Sequence, residues 1–215
     1  MRKLYYSQGS PFARKVRVVL AEKGLDYDGD ETPLGRPLGE LAAINPNLQV
    51  PIFDDGELRL FESNLIIDYL LRTYPDTAPD GPQPPLASSM TRPEHHWEDA
   101  KILATLETLG ISMVNLRQLG LSGVNAEDVG YLQRQHSRIQ SSLDWLEERA
   151  TPEGFAPGLF SIMDLNLLCA LVFSEARDDI FPWRGRPGLE AIAARYAERP
   201  SVRSTAPGPP PPAPR

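Results

Sequence analysis

The sequence predicts a small mixed α/β domain followed by an all-helical one. Three observations carry this reading. Strand and helix patterns alternate as far as residue 75, a proline-rich stretch "PDTAPDGPQPPLASS" (75–89) breaks the chain, and only helical periodicity follows it.

Residues 3–8, "KLYYSQ", read as a short tyrosine-rich strand. It feeds a helix that Ser10 caps and Pro11 begins, with Val16, Val19 and Leu20 on one face and Arg14, Lys15 and Arg17 between them. This is expected to be a surface helix with one buried face, closed by Gly24 in the left-handed region. Tyr27 to Thr32 is expected to add an edge strand, and "GELAAIN" a brief helix that stops at Asn45-Pro46. "VPIFDDGELRLFES" is the clearest hairpin: Val50 to Phe53, a turn at Asp54, Asp55 and Gly56, then Glu57 to Phe61 with Leu58 and Leu60 alternating against Glu57 and Arg59. A helix opens at Ser63 and runs to about Tyr74. In the second half Val129, Leu132, Ile139, Leu143 and Leu146 keep helical spacing, and "SIMDLNLLCALVFSEA" and "PGLEAIAARYAER" are further helices. The expected divisions are a first domain over 1–75, a linker over 76–90, a helical domain over 91–200 and a disordered proline-rich tail over 201–215.

Lys and Arg number 22 against 29 Asp and Glu, a net charge of −7. Such a chain repels phosphate backbones, so nucleic acid is not an expected partner. Cys169, the single cysteine, has no partner for an internal disulfide, and "MRKLYYSQGS" lacks an apolar core of signal-peptide length, which together predict a cytoplasmic protein. No uninterrupted apolar run approaches the roughly 20 residues that a bilayer helix needs, so no membrane is expected.

Four motifs, "SPFARKV", "NPNLQVPIF", "FESNLIIDYL" and "FSIMDLNLL", occur in this order along the chain. In that order and spacing the sequence resembles the cytosolic glutathione transferase family, and "SPFARK" resembles its bacterial serine and omega-like members. The resemblance covers all but the tail. It implies an α+β thioredoxin-like N-terminal domain that binds glutathione and an all-α C-terminal domain that lines an electrophile pocket. It further implies a homodimer, with glutathione as cosubstrate.

The resemblance also implies roles for individual residues. Val50-Pro51 is expected to be a cis bond that turns the valine main chain toward the cysteinyl segment of glutathione. Gln49 would hold the glycyl end, and Phe12 lies at the ligand. Ser63 and the free amides of its helix start would take the γ-glutamyl carboxylate, with Glu62 facing the amine; a helix N-terminus suits a carboxylate on physical grounds alone. Ser10 is expected to donate to the thiol sulfur, since a thiol of pKa about 8.5 needs stabilisation to act as a thiolate at neutral pH. Tyr6, near the end of the first strand, is the alternative donor. Serine forms no mixed disulfide, so conjugation is favoured over thiol exchange. Two other functions share the fold: a catalytically weak binding partner of other proteins, and a glutathione-dependent isomerase, dehalogenase or ether-cleaving enzyme.

Other residues are read as structural. Ser161 and Asp164 form an N-capping box, with Phe160 and Leu165 as its hydrophobic staple. His95 and Asp99 lie one turn apart, but two ligands make no tetrahedral site, so they are read as a solvated helix start and no metal is expected. Cys169 reads as a buried small hydrophobe. Trp97 either lines the electrophile pocket or packs in the core.

Overall fold

A computed structural model describes residues 1–31, 35–77, 83–176 and 181–208. The chain divides into two compact units, Met1–Met90 joined by the segment from Arg199 on, and Thr91–Glu198.

The first unit holds strands β1 (Arg2–Tyr5), β2 (Asp28–Asp30), β3 (Ile52–Asp55) and β4 (Leu58–Phe61) with helices α1 (Pro11–Glu22), α2 (Leu38–Ile44) and α3 (Ser63–Thr73). The sheet order is β2-β1-β3-β4; β2 runs parallel to β1, while β3 is antiparallel to both β1 and β4. A parallel neighbour requires a crossover, which α1 supplies. Tyr5 and Ile52 share an apolar cluster with Leu41 of α2, joined by Ile44 and Phe61. Alternation turns Leu4 and Phe53 to the opposite face, where both are fully buried.

The hairpin turns at Gly56, whose φ of 65° suits glycine. The first strand ends sooner than expected: the Tyr6 amide still donates to the Asp30 carbonyl at 2.9 Å, and the chain then turns at residues 8–9 toward the Ser10 cap. The edge strand falls within the expected span, whose last residue, Thr32, lies outside the described residues.

Several expectations need correction. Helix α1 is not a surface helix with one buried face: Arg14, Lys15 and Arg17 are only 5%, 2% and 8% exposed. The cover on Arg14 and Arg17 comes from the second difference. Instead of a disordered tail from residue 201, the chain forms helix α8 (Pro200–Ser204), packed on α1 with Ser201, Val202 and Thr205 buried. Residues 209–215 lie outside the described residues. The expected linker also belongs to the first unit: the buried Lys23 ammonium donates to the carbonyls of Tyr74 and Pro75 and to Asp76.

The second unit contains α4 (His96–Leu121), α5 (Gly130–Glu147), α6 (Ile162–Glu175) and α7 (Pro187–Tyr196). Helix α6 packs on α4 and α7, and twelve of its residues are buried. The capping box is present: the Ser161 hydroxyl accepts from the Asp164 amide at 3.0 Å, and Asp164 accepts from the Ser161 amide at 3.1 Å. The Asp164 carboxylate also takes the Phe155 amide at 2.9 Å and the Ser161 hydroxyl at 2.7 Å. Gly154 lies so close, with φ of 107°, that a Cβ there would sit 2.8 Å from this carboxylate.

Asp164→Ala strands three buried donors and should cost about 2–3 kcal/mol in denaturant unfolding. Burial pushes the Asp164 carboxyl up to about 6, against the pull of the Phe155 and Ser161 donors. The unfolded value is near 3.9, so between these pH values the native chain keeps a proton that the unfolded chain has released. Stability from this group is therefore full below about pH 4 and falls as pH rises toward 6. Asp164→Asn should lack that fall; an identical pH–stability slope in the two proteins would contradict it.

The expected solvated helix start at His95 and Asp99 is also corrected. Asp99 is fully buried and takes the Arg92 side chain at 2.7 and 3.0 Å and the Arg92 amide at 2.8 Å. Burial raises its carboxyl, but the Arg92 donors outweigh it and hold the group below the usual range. Trp97 is 78% exposed, which excludes packing in the core.

Candidate active site

Sheet register brings together residues far apart in sequence. Asp30 pairs with Tyr5, Tyr5 with Ile52, and Ile52 with Phe61, so these four form one row across the sheet. Just beyond that row lie Tyr6 to Ser10 after β1, Val50 and Pro51 before β3, and Glu62 and Ser63 after β4. With strands about 4.8 Å apart, the exits of β1 and β4 lie about 10 Å apart. Helices α1 and α3 both begin at this end and pack together, presenting two sets of N-terminal amides.

Ser10 is the N-cap of α1: its Oγ accepts from the Ala13 amide at 3.2 Å, and its amide donates to the Ser7 carbonyl at 3.0 Å. A hydroxyl that accepts in this way still has its own proton to donate. Ser10 and Phe12 are half-buried. Lys15, one turn on, donates to Asn64 Oδ1 at 2.8 Å and so ties the start of α1 to that of α3. Its ammonium also lies 5.3 Å from the centre of the Phe12 ring.

The Tyr6 hydroxyl is engaged elsewhere. It donates to Glu31 Oε1 at 2.6 Å, at the β2 side of the sheet, and Gln8 donates to the same oxygen at 3.1 Å. Gly29 packs closely there: a Cβ would sit 3.2 Å from Tyr6 Cε1. Burial first, then the bond to Glu31, pushes the phenol up to about 12, while Arg17 over the ring pulls it down. At neutral pH Tyr6 therefore keeps its proton.

The Val50–Pro51 bond is cis, with Pro51 buried and Val50 half-buried. Gln49 is exposed, and its carbonyl accepts from Asn45 Nδ2 at 2.8 Å, while Asn45 Oδ1 takes the Asn47 amide at 2.9 Å. Asn45 thus shapes this loop, a role missed in the sequence although an asparagine before proline is a turn signal. Glu62 adopts φ 78° and ψ 119°, a costly conformation for a side-chain-bearing residue and one that clusters at ligand clamps. Its carboxylate accepts from the Asn64 amide at 3.2 Å and from the Ser63 hydroxyl at 3.3 Å; Ser63 itself is 1% exposed. Among the described residues no three His, Cys, Asp or Glu side chains are grouped to hold a metal ion, and no helix is long and apolar enough to cross a membrane.

A thioredoxin-like sheet with two helix starts and a cis-proline at one end, followed by a helical unit, is the architecture of glutathione transferases, and comparison with known proteins agrees. Residues 4–82 match the family model for the glutathione S-transferase N-terminal domain. Glutathione S-transferase 3 of Zea mays is 30% identical over 231 aligned positions that span 98% of this chain and 96% of the maize protein. The chain belongs to the glutathione S-transferase family. A crystal structure of a glutathione S-transferase from Methylobacillus flagellatus with GSH bound is 25% identical, covers 97% of this chain and all of that one, and superposes with a TM-score of 0.80. The stringent starvation protein A homolog of Coxiella burnetii is 36% identical over 89 residues, 41% of this chain; the match spans only 42% of that relative's length.

Proposed function

We propose that this glutathione transferase activates the glutathione thiol through Ser10 for attack on an electrophile, as in the serine members of the family. The observation that carries the reading is the contrast between two hydroxyls: Ser10 caps the start of α1 with a proton left to donate, while the Tyr6 proton is committed to Glu31. A thiolate beside Ser10 would gain that hydrogen bond and the partial positive charge of the helix start. The Val50 main chain would pair with the cysteinyl segment, Gln49 with the glycyl carboxylate, and Ser63 with the α3 amides with the γ-glutamyl carboxylate. Glu62 would face the amine, and Phe12 would flank the ligand. In the reaction the sulfur lone pair forms the new carbon–sulfur bond; at a halide the displaced halide leaves with the electrons of the bond it breaks, and at an enone the carbon–carbon π electrons pass to the carbonyl oxygen and the enolate takes a proton from water.

Thermal shift with glutathione, then turnover against haloaryl, alkyl halide and enone electrophiles, tests the reading and identifies the substrate class. Failure of glutathione to raise the melting temperature at millimolar concentration would end it. Tyr6→Phe should keep turnover near that of the wild type. We also expect a cytoplasmic, homodimeric enzyme of detoxification; a protomer mass by light scattering at micromolar concentration would reject the dimer.

A further inference from the structure

We propose that Arg14 is a positioning residue, which uses the C-terminal segment as a clamp to fix the first turn of α1 and with it Ser10. The Arg14 amide closes that turn by donating to the Ser10 carbonyl at 3.0 Å, while its guanidinium donates to the Val202 carbonyl at 3.0 Å. One residue thus joins the serine's own peptide unit to a segment 188 positions away. Three more residues of the segment are held by the same helix, two of them at Glu22. Arg17 donates to the Thr205 carbonyl at 3.4 Å, Arg199 pairs with Glu22, and the Ser201 hydroxyl donates to Glu22.

The energetics set Arg14 apart from an ordinary structural contact. Arg14 is 5% exposed, and among the described residues its buried Nε and Nη1 have no hydrogen-bond partner. A buried cation satisfied at one nitrogen is a poor source of stability, and an apolar side chain of similar volume commonly serves as well or better. The Val202 carbonyl also keeps the Thr205 hydroxyl at 3.3 Å if Arg14 is removed. A methionine at 14 should therefore leave the fold standing while releasing the first turn.

This inference rests on the reading of Ser10 above, and its test separates the two. In Arg14→Met, turnover should fall roughly 10- to 100-fold, the scale of a small misplacement at a reacting group, with KM for glutathione nearly unchanged and the bound thiol's pKa raised. Arg14→Lys, which retains one donor, should recover most of the rate. Native-state hydrogen exchange on the ligand-free wild type supplies the readout that does not depend on activity. The amides of Ala13 and Arg14 should open together with those of Val202 and Arg203, which bond to the Arg199 carbonyl. If the two sets open independently, or if folded Arg14→Met keeps its rate and its thiol pKa, the clamp is overturned. Coupled opening in a protein that does not bind glutathione would support the clamp and refute only the reading of Ser10.

Discussion

Replacing Ser10 by alanine should depress turnover roughly 10- to 1000-fold, the range for losing one preorganised donor to developing or standing negative charge, with a smaller change in glutathione affinity. The bound thiol's pKa should rise in parallel. Alanine also removes the acceptor of the Ala13 amide, a loss of about 1 kcal/mol from the helix cap, so rates must be taken on the folded fraction. Ser10→Gly separates the effects, because glycine caps a helix nearly as well and has no hydroxyl. Both variants should lose rate alike although their stabilities differ. Ser10→Cys should trade conjugation for thiol–disulfide exchange, since a thiolate at a helix start can form the mixed disulfide that serine cannot. Full activity in Ser10→Ala together with loss of activity in Tyr6→Phe would assign activation to Tyr6 and leave Ser10 as a cap.

The cap at Ser10 and the polar Glu62–Ser63 pair before α3 are legible as local signals, whereas the cis form of Val50–Pro51 and the ligand roles expected of these residues are implied only by the family resemblance. Of the register row beside them only the β3–β4 step is local in origin, where the hairpin alternation decides which residues oppose each other; the β1–β2 and β1–β3 pairings join segments distant in sequence. What escaped the sequence has long-range causes. Arg14 and Arg17 look like a solvated face until α8 covers them, and no periodicity within α1 reveals a cover from 188 residues away. Asp99 looks like a solvated helix charge until Arg92, seven residues earlier, folds back onto it. The Tyr6–Glu31 bond depends on the β1–β2 pairing, which a polar edge strand barely signals. The proline content of the last residues hid α8, although Pro200 only takes the first helical position, where no amide is needed.

The same long-range packing gives the largest expected change in stability. Arg199 meets Glu22 through two bonds of 2.7 Å, with the arginine side chain 3% and the glutamate side chain 11% exposed. Arg199 also donates to the Pro84 carbonyl at 2.9 Å, and the Ser201 hydroxyl donates to Glu22, so this pair binds the start of α8 and the approach to the second unit to the end of α1. Removing one partner leaves the other charge buried: Arg199→Ala or Glu22→Ala should each cost about 3–5 kcal/mol. At this chain length, that loss lowers the melting temperature by about 10 °C. The double variant Glu22→Leu/Arg199→Met should recover most of the loss, because it removes both charges and keeps the volume. Denaturant titrations of Glu22→Leu, Arg199→Met and the double variant close the cycle. If the Arg199→Ala loss is below about 1 kcal/mol, the C-terminal segment does not anchor the first unit, and the clamp on α1 fails with it.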